Sequence, residues 1–282
     1  MLRCRIFVRV ALCLFCCLSI RISNLQAQSI AVLTYNIRYD NANDGADAWP
    51  KRSNELASFL VAQNADIIGL QEALHHQVEF LDSSLISYDR FGVGRDDGLN
   101  NGEYAPIYWK REVFQLVHSR TVWLSETPTV PSKGWDAACV RIASIVELNQ
   151  FHSNKKFAII NTHWDHEGQL ARQNSAGLLT KCVQEEFDRG NEVILMGDFN
   201  CSPNDSALQS LKSLLRPVCN EEQLLQPTFN GFKAETKAMP HIDDIFVANG
   251  EVENSVIKEP KTLLGRQLSD HFPVIANLRY KN

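Results

Sequence analysis

Apolar residues fall into short alternating runs and longer helical stretches that divide the chain into elements. Residues 29–36 alternate and are β-branched, which predicts a strand. Residues 40–47 are rich in Asn, Asp and Gly and predict a loop. Leu56, Phe59 and Leu60 recur at helical spacing and predict an amphipathic helix over 53–63. The apolar run 66–70 predicts a short buried strand ending at Gln71 and Glu72. A helix is expected over 78–85, strands over 104–109 and 114–124, an irregular loop over 128–138, and strands over 141–148 and 157–162. Residues 170–187 carry the helical period, and strands over 192–196, 242–248 and 272–278 complete the set. Strands outnumber helices, and many neighbouring strands have no helix between them. That argues against a simple doubly wound parallel sheet and favours a mixed α/β sandwich with helices outside two sheets.

Composition narrows this picture. At 282 residues with 44% hydrophobic and 22% charged residues, the chain is globular and long enough to bury a core. It has no Pro/Gly/Ser-rich linker and no internal repeat, so one large domain over 28–282 is expected. Residues 1–27 differ: Arg3, Arg5 and Arg9 precede an apolar run over 10–20, and Leu25-Gln26-Ala27 follows. This reads as a secretory signal peptide, with an uncleaved anchor as the alternative, and implies a secreted or periplasmic protein. Removing 1–27 leaves 24 basic and 33 acidic residues, a net charge of −9. So acidic a body is poorly suited to tight, charge-driven binding of duplex nucleic acid. Cys139, Cys182, Cys201 and Cys219 remain, compatible with one or two disulfides or with buried free thiols. No CxxC pair is among them, which argues against a structural zinc site. A monomer is expected.

Polar motifs stand mostly where apolar strands end. They are Tyr35-Asn36-Ile37, Gln71-Glu72, Asn161-Thr162-His163, Gly197-Asp198-Phe199-Asn200, Ile242-Asp243-Asp244 and Ser269-Asp270-His271. Asp198 and Asn200, two apart, share one side of an extended segment: one can hold a water, the other can donate to a phosphate oxygen. Glu72 and Asp270 are hard oxygen donors suited to Mg²⁺, with Asn36 beside them. His271 is a candidate base or phosphate contact that needs an orienting acid, and Asp243 is the natural one. Asp244 should point to the opposite face of its strand. Thr162-His163-Trp164-Asp165-His166 has the density of a metallo-hydrolase cluster, but Asn161 and Thr162 cannot supply the upstream histidine of a dinuclear zinc site. His163 therefore reads as a phosphate donor or proton shuttle, and Asp165 and His166 as loop caps. A serine nucleophile elbow and a phosphate-binding Gly-Lys loop are both missing.

Taken in order, the six motifs resemble the endonuclease/exonuclease/phosphatase superfamily of deoxyribonuclease-like phosphoesterases, over about residues 29–280. The segments 36–41 and 123–128 look like a secreted bacterial branch of it. The resemblance implies a four-layer α/β sandwich with the site at one end of two packed sheets, and Mg²⁺- or Mn²⁺-dependent hydrolysis of a phosphoester. It implies a metal site of Asn36, Glu72 and Asp270, and catalytic roles for His163, Asp198, Asn200, Asp243 and His271. Glu103 would orient His163. Arg38 departs from the apurinic endonucleases, which carry an acid there. Arg38, Glu103 and Trp164 are the expected substrate contacts, with Trp135 a further stacking candidate. The substrate is a phosphomonoester or phosphodiester; a nuclease on DNA or RNA and a non-catalytic binding module are the alternatives.

Overall fold

A computed structural model describes residues 29–280 apart from 152, 154 and 234. The expected signal segment lies outside the described residues. Twelve strands follow one another: β1 (Ser29–Asn36), β2 (Ile67–Gln71), β3 (Tyr88–Phe91), β4 (Ile107–Lys110), β5 (Phe114–Trp123), β6 (Ile142–Gln150), β7 (Lys156–His163), β8 (Glu192–Asp198), β9 (Arg216–Pro217), β10 (Asp243–Val247), β11 (Glu251–Ile257) and β12 (Val274–Arg279). Among the described residues four α-helices accompany them: α1 (Ser53–Gln63), α2 (His75–Ser84), α3 (Gln169–Asp188) and α4 (Gln209–Lys212). No described helix is long and apolar enough to cross a membrane.

The strands form two mixed six-stranded sheets, ordered β11-β12-β1-β2-β4-β3 and β5-β6-β7-β8-β10-β9. Alternation along each strand puts one apolar set between the sheets, where Ile30, Val32, Ile67 and Trp109 meet Phe157, Ile159, Ile194 and Met196. The opposite faces are apolar too. Leu33, Tyr35 and Ile68 take Leu56, Leu60, Val78 and Leu81 of α1 and α2, and Ile145, Ile160 and Leu195 take Leu179 and Val183 of α3. Each sheet is therefore covered on both sides, which gives the four-layer sandwich.

Register explains why polar motifs meet. β1 runs parallel to β2 with Asn36 opposite Gln71, and β7 runs parallel to β8 with His163 opposite Asp198. β10 runs antiparallel to β8, with its first residue Asp243 opposite that same Asp198. β12 starts just past Asp270-His271 and pairs Val274 with Thr34. Strand ends from both sheets thus share one rim. Gly197 makes the β7–β8 approach possible: a Cβ there would stand 2.0 Å from the Thr162 carbonyl oxygen. A buried amide ladder ties the sheets beneath the rim. Gln71 Nε2 donates to Asn161 Oδ1 at 2.6 Å, and Asn161 Nδ2 donates to the carbonyls of Leu70 and Pro106 at 2.7 and 2.9 Å.

Some elements depart from the sequence reading. The loop over 40–47 holds a 3₁₀ turn, Ala42–Asp47, started by Asn41 accepting from the Asn43 N–H. Helix α2 begins earlier than expected because the Gln77 side chain accepts from the Leu74 N–H and caps it. Strand β4 begins after Pro106, which has no N–H to give the ladder. β3 and β11, unanticipated, are edge strands of mostly half-exposed residues. All four described cysteines are free thiols.

Candidate active site

A cavity of about 790 Å³ opens at the shared rim, lined among others by Arg38, Glu72, Arg141, His163, Asp198 and His271. Asn36, buried at the end of β1, joins the sheets through its side chain. Its Nδ2 donates to Glu72 Oε1 and to Asp198 Oδ2, both at 3.0 Å, and its Oδ1 accepts from the Arg38 N–H at 3.0 Å. Asn36, expected among the metal ligands, here spends these polar atoms on its neighbours. Its oxygen is engaged by backbone and its N–H groups face the carboxylates, so it orients them.

Glu72 sits at φ 66°, a left-handed conformation that costs a non-glycine residue about 1–3 kcal/mol. The turn aims its carboxylate back at the rim, where Oε2 accepts from the Tyr39 N–H at 3.1 Å. Asp270 is fixed by its backbone, whose carbonyl accepts from the N–H groups of Asn230 and Gly231 at 2.7 and 3.0 Å. Arg38 lies against both acids, 3.9 Å from Glu72 and 3.8 Å from Asp270. Burial raises the Asp270 carboxyl; His271 opposes that and the Glu72 charge adds to it. Two buried carboxylates that repel each other, with carboxylate oxygens free of backbone at Asp270, are a donor set that fits a hard divalent cation.

The other half of the site comes from the second sheet. His271 Nδ1 is 2.9 Å from Asp243 Oδ2, and its Nε2 is 3.7 Å from Asp198 Oδ2. Phe229 packs edge-on against the ring at 5.0 Å between centroids. Burial by itself would lower the His271 pKa, but Asp243 and Asp198 outweigh it and raise the imidazole to about 10. Burial, and then the Asp243 charge, raise Asp198 to about 7. The charged imidazolium form of His271 is thus favoured, and Asp198 is shifted towards neutrality. Asp198, Asp243 and His271 also lie close enough together to hold a metal ion.

His163 Nε2 stands 3.5 Å from Asp198 and its Nδ1 stands 3.8 Å from Glu103. Burial and the positive Arg141 and Arg95 keep His163 well below the usual imidazole range. Glu103 accepts from Arg95 Nη1 at 2.6 Å, and burial followed by the Glu72 charge raises it to about 7. Asn200, at φ 49°, donates its backbone N–H to Asp198 Oδ1 at 2.9 Å and its Nδ2 to the Trp164 carbonyl at 3.0 Å.

Trp164 does not line the cavity. It is fully buried and meets Phe199 edge-on at 5.1 Å, so its expected role as a contact is corrected to core packing. Trp135 does not line the cavity either. Asp165 is a clamp: it accepts from the N–H groups of Ala138, Cys139, Glu167 and Gly168 and from Arg141 Nε. His166 Nδ1 accepts from Arg141 Nη2 at 2.9 Å. That saturation leaves the Cys139-Asp165-His166 group little room for zinc.

Sequence reasoning missed Arg95 and Arg141, which line the cavity, and Arg52 beneath it. The buried Arg52 guanidinium donates to the carbonyls of Ile37, Arg38, Asp47 and Leu268 and so knits the loops that carry Arg38 and Asp270. Arg141 could have been suspected as a cation heading an apolar strand at the rim. Arg95, in a polar loop, left no signal.

Known proteins share this fold. The model of the Endonuclease/Exonuclease/phosphatase family matches residues 33–271. The structure of an endonuclease/exonuclease/phosphatase from Bacteroides vulgatus is 32% identical, with a TM-score of 0.84 over 90% of this chain and 100% of that one. A mannosyl-6-phosphatase from Bacteroides thetaiotaomicron is 34% identical, with a TM-score of 0.81 over 89% of this chain and 100% of its own. A D. rerio TDP2 complexed with single-strand DNA product, 17% identical at a TM-score of 0.66 over 89% of this chain and 99% of that chain, shares the fold. An uncharacterized protein of Acanthamoeba polyphaga mimivirus is 30% identical over 159 residues, 54% of this chain and 59% of the viral one. Because the family match runs from the first strand to the histidine that faces Asp243, taking in both sheets and the rim between them, the chain belongs to the Endonuclease/Exonuclease/phosphatase family.

Proposed function

We propose that this chain is a divalent-metal-dependent phosphoesterase, and that its substrate is a small phosphoester, a sugar phosphomonoester in particular. Members of the family are typically hydrolases of phosphate esters or nucleic acids. The observation that carries the reading is the convergence of Asp198 and His271, with Asp243 behind the imidazole, beside Glu72 and Asp270 at one cavity. Similarity to a mannosyl-6-phosphatase supports the substrate class. So does the cavity wall: Arg38, Arg95 and Arg141 suit a compact dianion, and Tyr39 and Phe229 are its only aromatic rings besides histidine among the described residues. Single-stranded nucleic acid is usually held on a row of such rings.

Glu72 and Asp270 would hold the divalent ion, Mg²⁺ or Mn²⁺, which supplies polarisation of the phosphoryl group and offsets charge as it develops. Arg38 and neutral His163 bind the non-bridging oxygens. Asp198, poised near 7, orients the attacking water and takes its proton as the new O–P bond forms. The His271 imidazolium, fixed by Asp243, stabilises negative charge on the phosphoryl oxygens. The ester P–O bond breaks in line with attack, and water from the open cavity returns a proton to the departing alcohol. Asn36 and Asn200 hold Asp198 in position throughout.

A panel of sugar phosphates, inositol phosphates, sphingomyelin, DNA and RNA, run with and without Mg²⁺ at two salt concentrations, tests this. Metal-stimulated turnover of sugar phosphates with little salt dependence is expected. Turnover of DNA or RNA that weakens steeply with salt would replace the reading with a nuclease. No metal-stimulated turnover of any ester would leave a binding module. The proposal includes a monomer acting outside the cytoplasm, the latter on the pattern of residues 1–27 alone.

A further inference from the structure

Asp243 and Asp244 are neighbours on β10 and face opposite ways. Asp243 serves the cavity described above. Asp244 is buried on the other side of the sheet, where it meets Cys219, two residues past β9, and His241, two residues before β10. A thiol sulfur, an imidazole nitrogen and a carboxylate oxygen from these three side chains lie within 4.8 Å of one another.

The histidine is the informative member. It is 6% exposed, and its Nδ1 is 2.9 Å from the Gln226 carbonyl, which must accept the Nδ1–H. That bond fixes the tautomer and leaves Nε2 with a lone pair. Nε2 has no hydrogen-bond partner and points at Asp244 Oδ2 from 4.0 Å. An imidazole whose outer N–H is held by a backbone carbonyl while the inner nitrogen stands bare is the usual posture of a metal-ligating histidine. Beside it is a void of about 10 Å³, lined by His241, Asp244, Cys201 and apolar side chains such as Phe199 and Phe246. That is room for about one water. The cation that lines the same void, Lys212, donates to the Pro203 carbonyl.

We propose that Cys219, His241 and Asp244 form a structural site for a borderline-soft divalent cation, Zn²⁺ by its ligand set, with a water as fourth ligand. Sulfur, imidazole and carboxylate together match zinc and do not match Mg²⁺. Tetrahedral zinc holds such donors roughly 3.3–3.8 Å apart. The observed separations therefore close onto an ion with side-chain movements under about an ångström. Binding releases the Cys219 thiol proton to solvent. The ion would tie the segment after β9 to β10 and so brace the strand whose other face carries Asp243.

Metal-free full-length protein titrated with Co²⁺ tests the assignment without any activity assay. One equivalent should bind with a thiolate-to-cobalt charge-transfer band and tetrahedral visible bands, and Zn²⁺ should displace it and raise Tm. The band should vanish in Cys219→Ser and persist in Glu72→Gln and Asp270→Asn, whose carboxylates serve the cavity on the other face. A wild-type titration with no thiolate band, no Zn²⁺-dependent change in Tm, or a band that survives Cys219→Ser would overturn the site and leave a buried polar cluster. The wild-type measurements decide this even if a variant fails to fold.

Discussion

Replacing Asp243 with Asn asks whether His271 works as an imidazolium. The two side chains are buried and meet at 2.9 Å, so the substitution changes charge with almost no change of volume. His271 rises from 6.5 to about 10 although burial pushes the other way. At about 1.4 kcal/mol per pH unit, that is roughly 5 kcal/mol of net preference for the charged ring. Asp243 is the strongest upward influence and the only one hydrogen-bonded to the ring. Neutralising it removes the largest upward influence on the ring, which should then lose its proton at lower pH. The new carboxamide can also offer its N–H to Nδ1 and hold the ring in the wrong tautomer. We expect kcat/KM on a chromogenic phosphomonoester with Mg²⁺ to fall by about 10²–10⁴ near neutral pH. The alkaline limb of the pH profile, expected near 10 in the wild type, should move towards neutrality. Near-UV circular dichroism controls for folding. A variant with wild-type kcat/KM and an unmoved alkaline limb would refute the role of this pair.

Asp198 has its carboxyl raised to about 7, so the active carboxylate accumulates as pH rises through that value. The acidic limb of kcat/KM should lie there and disappear, with most of the activity, in Asp198→Asn; an unchanged limb would assign it elsewhere. Trp164→Ala should cost about 3–5 kcal/mol of stability, seen in thermal unfolding, because the ring is wholly buried against Phe199. A raised KM at unchanged Tm would instead restore Trp164 as a substrate contact. Gly197→Ala should lower Tm strongly, since the new methyl would overlap the Thr162 carbonyl and force β7 from β8; a wild-type Tm would show that this approach can relax.

Much of the fold was legible because its inner strands are apolar on both faces, and runs such as those of β2 and β8 stand out for that reason. The edge strands β3 and β11 were not, because they pair on one side only and bury little. Within the site, Glu72, His163, Asp198, Asp243, Asp270 and His271 could be suspected as polar residues at strand ends, and the rim brings them together. Arg95 and Arg52 had no such mark, since a cation in a loop or at a helix start is ordinarily solvated. Trp164 misled for the converse reason: it follows a catalytic-looking histidine, but a side chain's direction at a strand end depends on the loop that receives it.

By itself the sequence determined what is local: which runs become strands, which stretches become helices, and which acids, amides and imidazoles stand at strand ends. The tertiary structure decided what is relational. Docking the two sheets aimed the Asn36 N–H groups at the carboxylates, drew Arg141 into the cavity, and put Cys219 beside His241 on the far face of β10. It also raised the pKa of His271 and lowered that of His163. The reason is that burial and charge proximity act through space, over distances set by packing between segments far apart in the chain.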